Sequence, residues 1–151
     1  MRATFMLADF AQVLEGKLYI MGGGWSLTGP HPVPSAIALK IEVPWTETNR
    51  RHTFNFELLD GDGHPVTLPT TAGKRVPVVV GSDFEVGRPA GLPQGVPVDL
   101  PFAVNLGPLP LAPGKRFVWK FSIDGQYKEG WQVAFSTRPA QQKTAAAPLS
   151  P

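Results

Sequence analysis

The chain has 151 residues, the length of one domain, and the absence of cysteine excludes disulfides, thiolate metal sites and cysteine nucleophiles. The formal net charge is only +2, and basic residues cluster in nothing longer than a pair. The sequence therefore has no basic stripe, which argues against nucleic-acid binding. The 16 glycines and 17 prolines, beside a 10% aromatic content, predict short strands joined by tight turns rather than disorder.

Alternation of apolar and polar residues predicts strands from the start of the chain. A first strand is expected over Ala3–Phe10, followed by one helical turn at Phe10–Glu15, the best helix candidate in the sequence. A second strand, Lys17–Met21, runs into Gly22-Gly23-Gly24. This triplet predicts a bulge or sharp bend, because glycine accepts backbone angles that other residues resist. The strand pattern resumes at Trp25–Thr28.

The next two strands have clear period-two patterns. One runs from Ile37 to Val43, with Ala38, Lys40 and Glu42 expected on an exposed face. The other is His52–Asp60, in which His52 is expected as a partly buried edge residue with one hydrogen bond. The residues predicted to point into the core are Ile37, Leu39, Ile41, Val43, Phe54, Phe56 and Leu58.

The second half of the sequence continues in the same way. A short strand is predicted at Pro65–Leu68 and a longer one at Val98–Leu106, and Val78–Val80 and Phe84–Val86 are predicted as one strand or a broken pair. A closing hairpin joins Arg116–Asp124 to Trp131–Thr137. Loops rich in glycine and proline separate these segments, as expected for an all-β chain.

Side-chain parity constrains the closing hairpin. A two-residue turn at Asp124-Gly125 would pair Phe121 with Lys128, although Phe121 and Trp131 belong to the apolar face. Since opposed residues share a face of the sheet, the loop must hold an odd number of residues, or an extra residue must bulge, at Glu129-Gly130. Either arrangement makes Trp119 and Trp131 neighbours in the core.

These segments predict an all-β fold, an antiparallel β-sandwich of about eight strands that is immunoglobulin-like or jelly-roll-like. Residues 1–138 are expected to form this domain, and residues 139–151 a flexible tail rich in alanine and proline. The N-terminus lacks a signal-peptide pattern and no run reaches 18 apolar residues, so we expect a cytoplasmic protein without membrane association.

No motif predicts a catalytic residue, a metal site or a cofactor. Asp60-Gly61-Asp62-Gly63 resembles the start of a calcium loop, but His64, Pro65 and Val66 replace ligands, and a hairpin turn is favoured. The three histidines have no metal-binding spacing, and no serine lies in a Gly-x-Ser-x-Gly elbow.

One loop is a candidate contact site. Three of the four tryptophans are in phase with core positions, whereas Trp45 follows Pro44 at the end of a strand, in a loop that also holds Arg50 and Arg51. Aromatic and arginine side chains dominate many protein interfaces, so Trp45, Arg50 and Arg51 are the contact residues that the sequence suggests.

Several segments resemble a family of short, uncharacterised bacterial β-sandwich proteins, a domain of unknown function. The residues that carry the resemblance are Ala8-Asp9-Phe10-Ala11, Gly16-Lys17-Leu18, Gly22-Gly23-Gly24-Trp25, Ile41-Glu42-Val43-Pro44-Trp45 and Leu58-Leu59-Asp60 with Gly63. The resemblance spans most of residues 3–137. It implies a β-sandwich and transfers no site residue.

The amino-acid sequence is compatible with two functions. The first is a non-enzymatic binding or interaction module, with a place in a larger assembly, whose partner is another protein or a second copy of the chain. The alternative is an enzyme or small-molecule-binding protein of jelly-roll type that uses an internal cavity. The alternative needs a pocket with converging polar groups.

Overall fold

The computed structural model describes residues 1–140, and this part of the chain is all-β, as predicted. It contains eleven strands instead of about eight, because short strands form beside the long ones. The strands are β1 (Arg2–Leu14), β2 (Lys17–Gly23), β3 (Leu27–Thr28), β4 (Ser35–Val43), β5 (Arg51–Asp60), β6 (Thr67–Pro69), β7 (Arg75–Pro77), β8 (Val79–Glu85), β9 (Val98–Leu106), β10 (Arg116–Ile123) and β11 (Gln132–Thr137). A turn of 3-10 helix, Trp45–Glu47, lies between β4 and β5.

The long strands form two sheets. Sheet I has the order β2-β1-β4-β9, sheet II has the order β3-β11-β10-β5-β8, and β6 and β7 form a separate hairpin. The inner faces meet through aromatic rings: the ring centroid of Phe5 in sheet I lies 5.2 Å from that of Phe56 and 5.3 Å from that of Phe121 in sheet II. This packing confirms the β-sandwich. No helix in residues 1–140 is long and apolar enough to cross a membrane.

The predicted inward residues of the two central strands form the core. All seven of them, from Ile37 to Leu58, are at most 1% exposed. Ala38 lies on the outer face of sheet I, as predicted, but it is buried there, with only 3% of its surface exposed. The prediction that it is exposed is therefore wrong. It belongs to a second apolar cluster with Ala8, Ala11 and Ala36, against which Leu18 packs.

That second cluster forms because the β1–β2 hairpin curls over the outer face of sheet I. The side chain of Asn105 on β9 holds the curled strand: its Nδ2 donates to the Ala11 carbonyl at 2.8 Å, and its Oδ1 accepts from the Ala11 amide at 3.3 Å. Small alanine side chains allow the two layers to approach closely, so both faces of β4 are largely buried.

The predicted helical turn at Phe10–Glu15 is wrong. β1 continues to Leu14, which pairs with Lys17 of β2, and Glu15 and Gly16 form the two-residue turn with φ of 50° and 73°. Six residues are too few for a stable helix, whereas pairing with β2 satisfies their backbone groups. The predicted bend at the glycine triplet is present, since Gly22 and Gly24 have φ of 61° and 87°.

The parity argument for the closing hairpin is confirmed in its bulged form. Ile123 and Gln126 close a two-residue turn, yet the Phe121 amide donates to the Trp131 carbonyl at 2.9 Å. Residues 121–122 of β10 therefore oppose residues 127–131 of the returning chain. The bulge at residues 127–130 is longer than the single residue expected. Trp131 packs against Phe121 with ring centroids 5.1 Å apart.

The remaining boundaries need only small corrections. The segments predicted at Val78–Val80 and Phe84–Val86 correspond to the single strand β8, and the strand predicted at Pro65–Leu68 is β6, shifted to Thr67–Pro69. His52 does not lie at an edge, because β5 is flanked by β8 and β10. All but the first two residues of the predicted tail, 139–151, lie outside the described residues.

Candidate functional site

The β1–β2 hairpin carries a concentration of exposed apolar side chains. Of the 13 large hydrophobic side chains that are exposed in residues 1–140, seven lie on this hairpin, and they are 37–64% exposed. Concentrations of exposed apolar side chains commonly mark interaction sites. We refer to these seven residues as the hairpin surface: Met6, Phe10, Val13, Leu14, Tyr19, Ile20 and Met21.

The curl of the hairpin explains why these side chains face solvent. Ala11 and Leu18 pack onto Ala36 and Ala38 of sheet I, so they anchor the hairpin from below. On the other side, Phe10 pairs with Met21 across the two strands, and both remain exposed, at 45% and 64%. Val13 and Ile20 pair with Leu18 and Ala11 and share their face, so the hairpin surface is spread over both faces of a strand pair that is held against the domain.

β2 is also an edge strand with free hydrogen-bonding groups. Leu14 and Lys17 close a two-residue turn, so this pair and the alternate pairs at Tyr19 and Met21 are hydrogen-bonded to β1. The amide and carbonyl groups of Leu18 and Ile20 then point away from β1. No strand in residues 1–140 pairs with this edge. Ala11, the partner of Ile20, likewise points its backbone amide and carbonyl away from the other strand, and both groups bond to the Asn105 side chain.

The other sheet edges carry features that discourage further pairing. β8 carries Asp83 and Glu85, β9 carries Asp99 and Pro101, and β3 is only two residues long. Edge charges, prolines and short lengths are the usual means of preventing strand addition. β2 has one charge, Lys17 at its first position, and no proline. Among the edges of the two described sheets, β2 is the least protected.

The contact site suggested by the sequence has a different arrangement. The guanidinium of Arg88 lies over the Trp45 ring, 4.0 Å from its centroid, and donates to the Trp45 carbonyl at 3.0 Å. Trp45 is half-buried in this contact. Arg51 pairs with Asp83 at 3.1 Å, and Arg50 donates to the Thr46 carbonyl at 3.3 Å. The structure thus gives each of the three residues a partner within its own chain.

His52 is a buried polar residue with a defined set of contacts. Its ring is stacked on Phe84, its Nδ1 lies 2.7 Å from Asp124 Oδ2, and its Nε2 lies 2.9 Å from the Glu47 carbonyl. A carbonyl can only accept, so Nε2 donates, and a second donation to the Asp124 carboxylate requires the imidazolium. The single hydrogen bond expected for His52 is therefore corrected to two.

The pKa values of this pair favour its charged form. Burial lowers the pKa of His52, but hydrogen bonds to Asp124 and Glu47 outweigh burial and raise it above its usual value. Burial raises the pKa of Asp124, while bonds from His52 and the Thr53 amide lower it to below the usual range. Both ring nitrogens are occupied and the ring is 5% exposed, so the pair fastens the β10–β11 turn to β5.

The turn after β5 has the geometry of a hairpin turn. Asp60 Oδ1 accepts from the amides of Asp62 and His64, both at 2.9 Å, and these bonds lower the pKa of Asp60. The ligand atoms of Asp60, Asp62 and His64 lie within 4.8 Å of one another. The carboxylate is already used to order the turn, and the arrangement is explained without a metal ion.

Two concave regions bear on the small-molecule alternative. A cavity of about 40 Å³ lies among Trp25, Trp119 and Phe135, and the buried Trp25 Nε1 has no hydrogen-bond partner. Its volume suits a few water molecules. An open cleft of about 670 Å³ collects Arg75, Lys115 and Arg116, but Asp60 and Asp62 line it as well, so no single charge dominates.

The hairpin surface was missed at the sequence level, although a signal is present. Period-two alternation fails on this hairpin, because Val13 is followed by Leu14, and Tyr19-Ile20-Met21 is apolar at three consecutive positions. A strand that is apolar on both faces must be covered on both, or must expose one of them. The assignment of Phe10–Glu15 to a helical turn obscured this signal.

Comparison with known proteins identifies the family. A model described as Family of unknown function (DUF6941) matches residues 3–135, and the chain belongs to this family. The resemblance found in the sequence is thereby confirmed as that of an uncharacterised domain. No curated protein and no solved structure matches the chain.

Proposed function

We propose that this member of the family of unknown function is a non-enzymatic interaction module that binds a protein through the hairpin surface and the free edge of β2. The observation that carries the proposal is the coincidence of the two features on one hairpin: seven exposed apolar side chains and the least protected edge strand of the two described sheets. Each feature alone is a recognised mark of a binding surface.

The mode of binding that fits this geometry is strand addition. An extended segment of the partner would exchange main-chain hydrogen bonds with Leu18 and Ile20, whose polar groups point outward. Its side chains would then lie beside Tyr19 and Met21, which are 51% and 64% exposed. In this mode the main chain supplies affinity and the flanking side chains supply specificity.

The same features favour a protein over a lipid surface. Acyl chains cannot form hydrogen bonds with the free amides and carbonyls of Leu18 and Ile20, and leaving those groups unsatisfied in hydrocarbon is costly. The tip of the hairpin also carries Glu15 and Lys17, both exposed. A polypeptide strand satisfies the edge and covers the adjacent side chains of Tyr19 and Met21 together.

The small-molecule alternative rests on the cleft beside β6 and β10. Its volume of about 670 Å³ is adequate for a ligand, and Arg75, Lys115 and Arg116 provide cationic groups. However, Arg75 already donates to Thr67 through Nε and Nη2, at 2.9 and 2.8 Å. This alternative leaves the exposed hairpin unexplained, and we rank it second.

Site-specific photocrosslinking tests the proposal. A photoreactive amino acid in place of Met21 should form covalent adducts with a protein in the cell that makes this chain, because Met21 is 64% exposed on the hairpin surface. The matched control is Val79, which is 47% exposed on β8, the edge strand that carries acidic residues. Adducts should be resolved by electrophoresis and identified by mass spectrometry.

The control variant should give no comparable adduct, and both variants should melt at the temperature of the unmodified chain. Equal adducts at the two positions, or no protein adduct from position 21, would contradict the proposal. Adducts with lipid alone would assign the hairpin surface to a membrane instead.

A further inference from the structure

We infer that the partner at the β2 edge is a second copy of this chain, paired antiparallel with Tyr19 on the two-fold axis. The inference rests on the proposed function and names the occupant of the same surface. In a two-fold dimer each surface element meets its own copy, so a strand pairs antiparallel with itself and one residue faces itself.

The hydrogen-bonding phase of β2 fixes the register. The groups that point outward belong to Leu18 and Ile20, which stand on either side of Tyr19. With Tyr19 on the axis, Leu18 of each copy exchanges both main-chain hydrogen bonds with Ile20 of the other. An axis at Ile20 would require Leu18 to pair with Gly22, and an axis at Leu18 would require Ile20 to pair with Gly16. The φ values of these two glycines, 61° and 73°, take their backbones out of the strand conformation.

This register is free of charge conflict. It places Lys17 opposite Met21 of the other copy, so no two charged residues of β2 face each other. The aliphatic stem of Lys17 can then cover Met21 while its ammonium group stays in solvent. The two Tyr19 rings face each other across the axis, and aromatic cross-strand pairs stabilise antiparallel sheets. Sheet I becomes continuous through both copies.

The dimer should be reversible. β2 has seven residues, whereas a standard stable interface takes roughly 20–30 residues from each partner. We therefore expect the dimer fraction of the full chain to rise with protein concentration in sedimentation velocity experiments.

A charge swap on the axis tests the register. Tyr19→Lys and Tyr19→Glu should each weaken dimerisation about tenfold or more, because each places like charges directly opposite one another. An equimolar mixture of the two variants should dimerise again, because opposite charges then meet on the axis. Tyr19 is 51% exposed, so both variants should keep the melting temperature of the folded monomer. Val79→Lys, on the β8 edge, should dimerise like the unmodified chain.

Three results would overturn the inference: a full chain that stays monomeric at every concentration, a Tyr19→Lys variant that still dimerises, or a mixture that does not recover the dimer. If removal of residues 141–151 is needed for dimerisation, the edge belongs to the chain's own C-terminus. A monomeric chain whose position 21 still crosslinks to a different protein would refute this inference and leave the proposed function intact. Failure of both experiments would refute both.

Discussion

Replacing Trp119 by alanine should lower the free energy of unfolding by about 3–5 kcal/mol, through lost burial and the cavity left behind. A domain of this kind has only about 5–15 kcal/mol in total. Trp119 is 2% exposed and lies on β10 between Leu58 of β5 and Val133 of β11. Its ring meets Phe56 edge to face, with centroids 6.5 Å apart. Urea denaturation of the variant measures the loss.

The matched control for this truncation is Gln132→Ala on the adjacent strand. Gln132 is exposed, and its Oε1 accepts a long hydrogen bond from the Tyr127 hydroxyl at 3.4 Å. Surface changes of this kind usually alter stability by no more than about 0.5 kcal/mol. If Trp119→Ala unfolds at the same urea concentration as Gln132→Ala, Trp119 does not belong to the core and the sandwich packing described above is incorrect.

Gly81→Ala should destabilise sheet II even though Gly81 is exposed. Gly81 of β8 faces Asn55 of β5, and a Cβ at this position would collide with the carbonyl oxygen of Phe54. Relief requires movement of β5, which lies inside the sheet and carries Phe54 and Phe56 of the core. Overpacking against such a backbone costs about 1–3 kcal/mol or more, measurable by the same urea denaturation.

Gly107→Ala provides the comparison for this change. A Cβ at Gly107 would meet no atom within 4 Å, so the substitution should leave stability almost unchanged. Equal losses for the two variants would show that the close approach of β8 to β5 is absent in solution.

The sequence predicted those parts of the fold that depend on local alternation. Phe54 and Phe56, or Ile37 and Leu39, stand two residues apart, and a strand places such residues on one face whatever its partners are. The bulge before Trp131 followed for the same reason, because parity along two strands is a local property that a turn must respect.

Features set by distant residues could not be predicted in this way. The curl of the hairpin depends on Asn105, which is 94 positions from Ala11, and the second hydrogen bond of His52 depends on Asp124, 72 positions away. Arg88 covers Trp45 from 43 positions away. Alternation in one strand carries no information on which distant segment folds over it, and so the exposed hairpin surface was missed.

Amide hydrogen exchange at three consecutive residues tests the role of the β2 edge most directly. The Tyr19 amide bonds to β1 and should be protected at every protein concentration, whereas the Leu18 and Ile20 amides point outward. In dilute monomer we expect Leu18 and Ile20 to exchange rapidly, and in concentrated dimer we expect them to slow by about tenfold or more, as newly formed hydrogen bonds must open first. Leu18 and Ile20 amides that are protected in the monomer, or that remain unprotected in the dimer, would contradict binding at this edge.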